Sequence, residues 1–237
     1  MCGRFALTLP WSDLAALYRL GDRSTQRNLA PRYNIAPTQG VAAVRIAPDT
    51  GERELTDLCW GLVPSWAKDV GIGARMINAR AESVADKPAF RQALARRRCL
   101  IPADGFYEWP KRGAGPKRPY LIAMKDGSPF AFAGLWERWH RPPDGEPVET
   151  CTIVTTTAND LLRPIHDRMP VILAAEDHHA WLNAAGHPAD AVLGLLKPFA
   201  ADEMATRPVG TYVNDVAHDD PRCFEPDEVR DGDLFVP

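Results

Sequence analysis

No stretch of the 237-residue chain is apolar for long enough to span a membrane, and polar Arg4, Ser12, Asp13 and Arg19 break up its start in a way a signal peptide does not tolerate. No C-x-x-C pair occurs. The five cysteines (Cys2, Cys59, Cys99, Cys151 and Cys223) are scattered and odd in number, which supports neither a disulfide framework nor a zinc site. Also missing are G-x-x-x-x-G-K-[ST] and G-x-G-x-x-G, so the phosphate-cradling loops of nucleotide-cofactor folds have no support. Repeats, low-complexity tracts and linkers are lacking too, so the expectation is one domain over 1–237. The 45% hydrophobic content is enough for a full core. A reducing, cytoplasmic setting is expected from the cysteine usage.

Strand signals dominate what is present. VAAVRIA and LTDLCWGLVP read as strands around a turn at PDTGE, followed later by CLIPADGFYEW, PYLIAM, PFAFAGLWERW, TCTIVTT and MPVIL. KRGAGPKR and KDGSP supply turn chemistry. Helices are predicted behind Ser12 as N-cap, over AESVADKPAFRQALARRR, briefly over ANDLLRPIH, and over AEDHHAWLN and AVLGLLKPF. RNLAPRYNIAPTQ reads as a proline-rich loop. Helices interspersed among strands without βαβ alternation predict a single α+β domain with a mostly antiparallel sheet system.

The net charge of −3 and pI near 6.1, taken alone, argue against nucleic acid. The distribution argues otherwise. Arginines and lysines crowd the region from Arg75 to Arg118, whereas an acidic tail begins at about residue 215. A protein acidic overall can still carry one positive face, and a solvated helix face accounts equally well for Arg91 to Arg98.

The start, MCGRF, puts a thiol directly behind the initiator methionine. Removal of Met1 would leave Cys2 with a free α-amine, of pKa about 7.7–8.0, beside a thiol of about 8.5. Such an aminothiol traps an aldehyde: the amine forms a Schiff base and the thiol closes onto its carbon as a thiazolidine. It also suits an N-terminal nucleophile hydrolase, the amine acting as base. A small residue early in a chain needs neither. Glu108, between Tyr107 and Trp109, suits a general acid or base if desolvated, or an arginine partner. His166 suits proton transfer or simple hydrogen bonding. Asn78 suits substrate orientation or a turn. Arg80 and Arg168 can clamp phosphates, and Trp66 or Trp109 can stack on a base.

Together, MCGRF, YNIAP, WGLVPSWAKD, INARAES, CLIPADGFYEW and HDRMPV, with PVGTYVND and CFEP near the end, closely resemble the SRAP (SOS response-associated peptidase) family, whose members shield abasic sites in single-stranded DNA. The resemblance covers essentially the whole chain. It implies that Cys2, freed of Met1, forms a thiazolidine with the ring-opened abasic sugar. It further implies that Asn78 holds the Cys2 amine and sugar oxygens, that Glu108 relays protons, and that His166 assists ring opening and reversal. Arg4, Arg80 and Arg168 match phosphate-binding positions, and Trp66 and Trp109 would line the DNA channel. Pro37 would sit in a wedge loop, and Thr155 is a backbone-contact candidate. The implied partner is single-stranded DNA with an abasic site, including junctions with duplex, bound by a monomer without metal or organic cofactor. Release of Met1 by the protein itself is compatible with this. A glutamine amidotransferase, which also begins Met-Cys-Gly, and a non-covalent single-strand binding module are the alternatives.

Overall fold

β-Branched and aromatic residues favour a pleated, half-buried surface, and the segments richest in them form the centre of the fold. The computed structural model describes residues 2–21, 28–110, 118–140 and 145–227. Five long strands close on themselves: β3 (Gly40–Ile46), β4 (Arg53–Trp60), β6 (Arg98–Ala103), β9 (Phe130–His140) and β10 (Pro147–Thr157). Around this barrel the pairings β3–β4, β3–β6, β6–β9 and β9–β10 are antiparallel, and β10–β4 is parallel. Closure removes the exposed edges of the barrel. Three short strands extend it: β5 (Asn78–Arg80), β11 (Arg168–Pro170) and β12 (Ile172–Leu173). A second sheet holds β1 (Phe5–Leu7), β2 (Arg32–Ile35), β7 (Gly105–Glu108), β8 (Tyr120–Met124) and β13 (Met204–Pro208) in the order β13-β8-β7-β1-β2. The α+β, mostly antiparallel expectation holds.

One apolar core joins the two sheets. Phe5 of β1 lies between Trp60 and Phe132 of the barrel, with ring centroids 5.3 and 5.6 Å away and edge-to-face angles. The strand that follows Cys2 is therefore anchored between aromatic rings of the barrel interior.

The structure corrects several local readings. CLIPADGFYEW is two strands, not one. At Asp104 the chain leaves the barrel for the second sheet, and the Asp104 carboxylate accepts the Thr8 amide and hydroxyl at 2.5 and 2.6 Å, fastening the corner to β1. The helix predicted over AESVADKPAFRQALARRR contracts to α2 (Arg91–Arg96), preceded by a 3-10 turn at Ala81–Ser83. Pro88 disfavours helical backbone at Lys87, so the helix starts only beyond it. ANDLLRPIH forms turns: Asn159 Oδ1 accepts the Leu162 amide as an N-cap would, but Pro164 has no amide to carry the ladder on. The first helix, α1 (Trp11–Tyr18), takes Pro10 as N-cap with no side-chain cap bond, and Ser12 lies inside it. RNLAPRYNIAPTQ contains β2. The His178 helix, α3 (His178–Leu182), and α4 (Ala189–Val192) are short. Arg98 is buried beneath the His187 carbonyl, which removes it from the supposed solvated face. The KRGAGPKR turn falls almost wholly at 111–117, outside the described residues.

Candidate functional site

Strand β10 gathers the site. Its residues Ile153–Thr155 pair in parallel with Asn78–Arg80 of β5, and Thr155–Thr157 pair antiparallel with Arg168–Pro170 of β11. Asn78, Arg80, Thr155 and Arg168 thereby share one end of the barrel. β1 and β7 approach the same place from the second sheet. Their register sets Phe5 against Phe106, and Tyr107 donates its amide to the Arg4 carbonyl at 2.9 Å. Carried two residues further, that register sets Glu108 opposite Gly3, beside Cys2.

Placement of Asn78 depends on a close backbone crossing. Gly61, at φ +136°, and Gly73 pass so closely that a Cβ on Gly61 would meet the Gly73 carbonyl oxygen at 2.7 Å, and one on Gly73 would meet that of Gly61 at 2.5 Å. Leu62 donates to the Met76 carbonyl and the Trp60 indole to the Ile77 carbonyl at 2.8 Å, which sets the chain entering β5.

Cys2 is fully buried, and its carbonyl accepts Asn78 Nδ2 at 2.9 Å. The other end of that amide, Oδ1, is buried with no hydrogen-bond partner among the described residues. An acceptor is thus left unused on the side chain that holds the N-terminal segment. Burial, and secondarily the charge of Glu108, push the Cys2 thiol far above its ordinary pKa, so the resting form is the thiol. Glu108 is 3% exposed, and burial pushes its carboxyl up to about 7, with Asp167 adding to the rise. A carboxyl poised there is near half-protonated at neutral pH and can both give and take a proton. Glu108 acts on the Cys2 thiol and Asp167 on Glu108, so the HDR segment lies within electrostatic reach of the carboxyl.

His166 is nearly buried, and its Nδ1 accepts the Arg168 backbone amide at 2.9 Å. Asp167 Oδ1 lies 2.9 Å from the same nitrogen. Both contacts cannot be hydrogen bonds in one protonation state. In the neutral ring Nδ1 accepts from the backbone and the proton sits on Nε2; in the charged ring Nδ1 donates to Asp167.

The residues expected to touch DNA differ in how far they stand open. Trp66, 58% exposed, and Arg80, also exposed, stand open. A cleft of about 400 Å³ runs between Trp66 and Asn78, with Arg75, Met76, Lys87 and Phe90 on its walls. Pro37 is partly exposed on the loop after β2, next to Thr38 at φ 71°. Arg4 and Arg168 are engaged inside the protein. Arg4 Nη1 donates to Asn34 Oδ1 at 2.7 Å and to the Val213 carbonyl at 2.9 Å, with its guanidinium 5.6 Å from the Trp109 ring. Trp109 in turn donates to Asn214 Oδ1 at 2.7 Å. Arg168 forks onto Glu82. Thr155 is buried, so that its contact with a ligand would run through Arg168 and its backbone. Another cleft, of about 500 Å³ between Tyr18, Phe130 and His178, contains none of these residues.

Sequence reasoning missed Glu82, Asn34 and Asp219. Asp219 accepts the Tyr33 amide at 2.5 Å and the Asn34 amide at 2.9 Å and pairs with Arg32, fastening the acidic C-terminal segment onto β2. Its polar partners are distant in sequence, which hides them from any local pattern. Among the described residues no helix is long and apolar enough to cross a membrane, and no group of three or more His, Cys, Asp or Glu is placed to hold a metal.

The SOS response associated peptidase (SRAP) family pattern matches residues 1–216. The chain is 43% identical over 225 residues to the abasic site processing protein YoqW of Bacillus subtilis, covering 95% of this chain and 99% of that one. It is 32% identical over 267 residues to the abasic site processing protein HMCES of Gallus gallus, covering 97% and 79%. A crystal structure of a Bacteroides thetaiotaomicron protein superposes with a TM-score of 0.84 at 28% identity, over 95% of this chain and 100% of the other. With a match over nearly its whole length and the motif residues assembled at one end of the barrel, the chain belongs to the SRAP family.

Proposed function

We propose that this protein processes abasic sites in single-stranded DNA by covalent capture through Cys2, after Met1 has been released. The carrying observation is the meeting of Cys2, Asn78 and a carboxyl with a pKa of about 7 at Glu108. The ring-opened abasic sugar is an aldehyde. The Cys2 amine adds to its carbon to give a carbinolamine, and loss of water gives the Schiff base. The thiol then adds to that carbon, forming the C–S bond and releasing a proton. The sum is aldehyde plus aminothiol giving thiazolidine and one water, with no change of oxidation state. Glu108 supplies the proton that leaves with the hydroxyl and takes one back from the thiol. A neutral, protonated thiol suits this order, since the amine attacks first.

Asn78 Oδ1 accepts from the amine or a sugar hydroxyl. His166, with its proton on Nε2, serves ring opening and reversal. Arg80 meets the phosphates, with Arg4 and Arg168 contributing whatever donors their internal bonds leave free. Trp66 and Trp109 stack on bases, and Thr155 acts through its backbone. The Pro37 loop stands as a wedge where the strand bends at a junction with duplex. The protein works as a monomer in the cytoplasm, where Cys2 stays reduced, and it releases its own Met1.

The test is a denaturing gel of the protein with an oligonucleotide carrying one abasic site, beside Cys2→Ala, with intact mass establishing loss of Met1. A heat- and detergent-resistant slower band that disappears in the variant is expected. Absence of that band from a Met1-free native chain overturns the reading in favour of glutamine hydrolysis, scored by ammonia release, or of non-covalent binding.

A further inference from the structure

Arg168 makes contacts in two directions. Its backbone amide holds His166 Nδ1 at 2.9 Å, while its side chain lies across β10, Nη2 donating to the Thr155 carbonyl at 2.6 Å and hydroxyl at 3.2 Å. Glu82, on the 3-10 turn after β5, closes the fork from outside: Nη1 to Oε1 at 2.5 Å and Nη2 to Oε2 at 3.0 Å. A guanidinium has five N–H groups. Nε is buried without a partner among the described residues, the two hydrogens on Nη2 are taken by Glu82 and Thr155, and one of the two on Nη1 is taken by Glu82. One N–H remains. Held this way, Arg168 cannot offer DNA a two-toothed fork, only a single directed donor.

The geometry points to Glu82 as a positioning residue of this site: by pinning Arg168 across Thr155 it fixes the start of β11, whose first amide holds His166 Nδ1 and keeps the neutral ring's proton on Nε2. This inference rests on the proposed capture of abasic DNA. The exposures fit a pair at the rim, 12% for the Arg168 side chain and 50% for Glu82. Charge and geometry pull in opposite directions here. A carboxylate beside the DNA path repels phosphate, so Glu82 weakens binding while it favours the chemistry. A phosphate ligand or a purely structural residue has no such split signature.

The experiment uses the full chain with Met1 removed, as native protein, Glu82→Gln, Arg168→Lys and the double variant. Non-covalent affinity is read on single-stranded DNA carrying a tetrahydrofuran abasic analogue, which has no aldehyde, and crosslinking rate is read at saturating true abasic DNA. For Glu82→Gln the expected result is binding at least as tight as native, with the saturated rate slower on the order of tenfold or more. Arg168→Lys is also slowed. The double variant is no slower than the slower single, because Glu82 acts through Arg168. Histidine ¹⁵N shifts give a readout free of turnover: Nδ1 of His166 is pyridine-like in the native protein, and the distinction between the ring nitrogens weakens in Glu82→Gln. Native saturated rates in Glu82→Gln, rates restored merely by more DNA, or multiplicative losses in the double variant overturn the assignment. Failure of the native chain to crosslink overturns the underlying capture reading and this inference with it, whereas a crosslinking native chain with an equally fast Glu82→Gln overturns this inference alone.

Discussion

Replacing Glu108 with glutamine should make the protein more stable at alkaline pH while abolishing capture. The folded state holds this carboxyl at about 7, against 4.5 for the same group in water, because ionising it means charging a group that is 3% exposed. Below 4.5 the group is protonated in both folded and unfolded chains and contributes no penalty. As pH climbs, the unfolded chain ionises freely while the folded chain resists, so stability is lost progressively up to the folded value and stays lost above it. With 1.36 kcal/mol for each tenfold change in proton affinity, roughly 2–3 kcal/mol disappears from the native protein between about pH 5 and pH 8. Glutamine has no such titration. The difference in Tm between Glu108→Gln and native protein should therefore widen by roughly 5–10 °C across that range, at the usual 2–4 °C per kcal/mol for a chain of this size. Thermal melts in matched buffers read it directly, and crosslinking at saturating DNA should be lost in the variant at every pH. Parallel melting profiles for the two proteins would refute the argument, because Glu108 would then be ionised as easily folded as unfolded.

Arg80→Glu should weaken single-stranded DNA binding and flatten the salt dependence by about 0.7 in slope for each phosphate no longer neutralised, with melting unchanged because Arg80 is exposed; an unaltered slope in salt titrations would remove Arg80 from the DNA path. Trp66→Ala, at a side chain 58% exposed, should lose about 1–3 kcal/mol of affinity for single strands without loss of fold, read by fluorescence anisotropy on DNA with the non-reactive abasic analogue. Gly73→Ala should do the reverse. Its Cβ would lie 2.5 Å from the Gly61 carbonyl oxygen, so the backbone must move, lowering Tm and slowing capture through displacement of Asn78; an unchanged Tm would show that the crossing can relax.

Architecture was legible in the sequence where the signal is local. Strand runs such as VAAVRI and TCTIVTT are β-branched at half or more of their positions, and both became strands. Legibility failed where a distant partner decides the outcome. The corner at Asp104 depends on Thr8, nearly a hundred residues away, and strand β2 inside RNLAPRYNIAPTQ is held by Asp219, far along the chain. Motif residues were legible for the same reason that their companions were not. INARAES marks Asn78 and Arg80 by position in a pattern, but nothing in it announces that Glu82 grips an arginine 86 positions later.

The limits of the site also differ from the limits of the family match. Residues 217–227 lie beyond the matched 1–216, yet they support Arg4 at one remove. Asp219 holds the Tyr33 and Asn34 amides, and the Asn34 side chain donates to the carbonyls of Val213, Asp215 and His218 while its Oδ1 accepts Arg4 Nη1. A buried asparagine with every polar atom engaged leaves Arg4 one place to stand. The acidic segment commits the Asp219 carboxylate to β2, in the second sheet, whereas Arg80 and Trp66 open to solvent from the barrel side. The Asp219 charge is thereby committed within the protein, so a net charge of −3 is compatible with an exposed arginine and tryptophan on the barrel side.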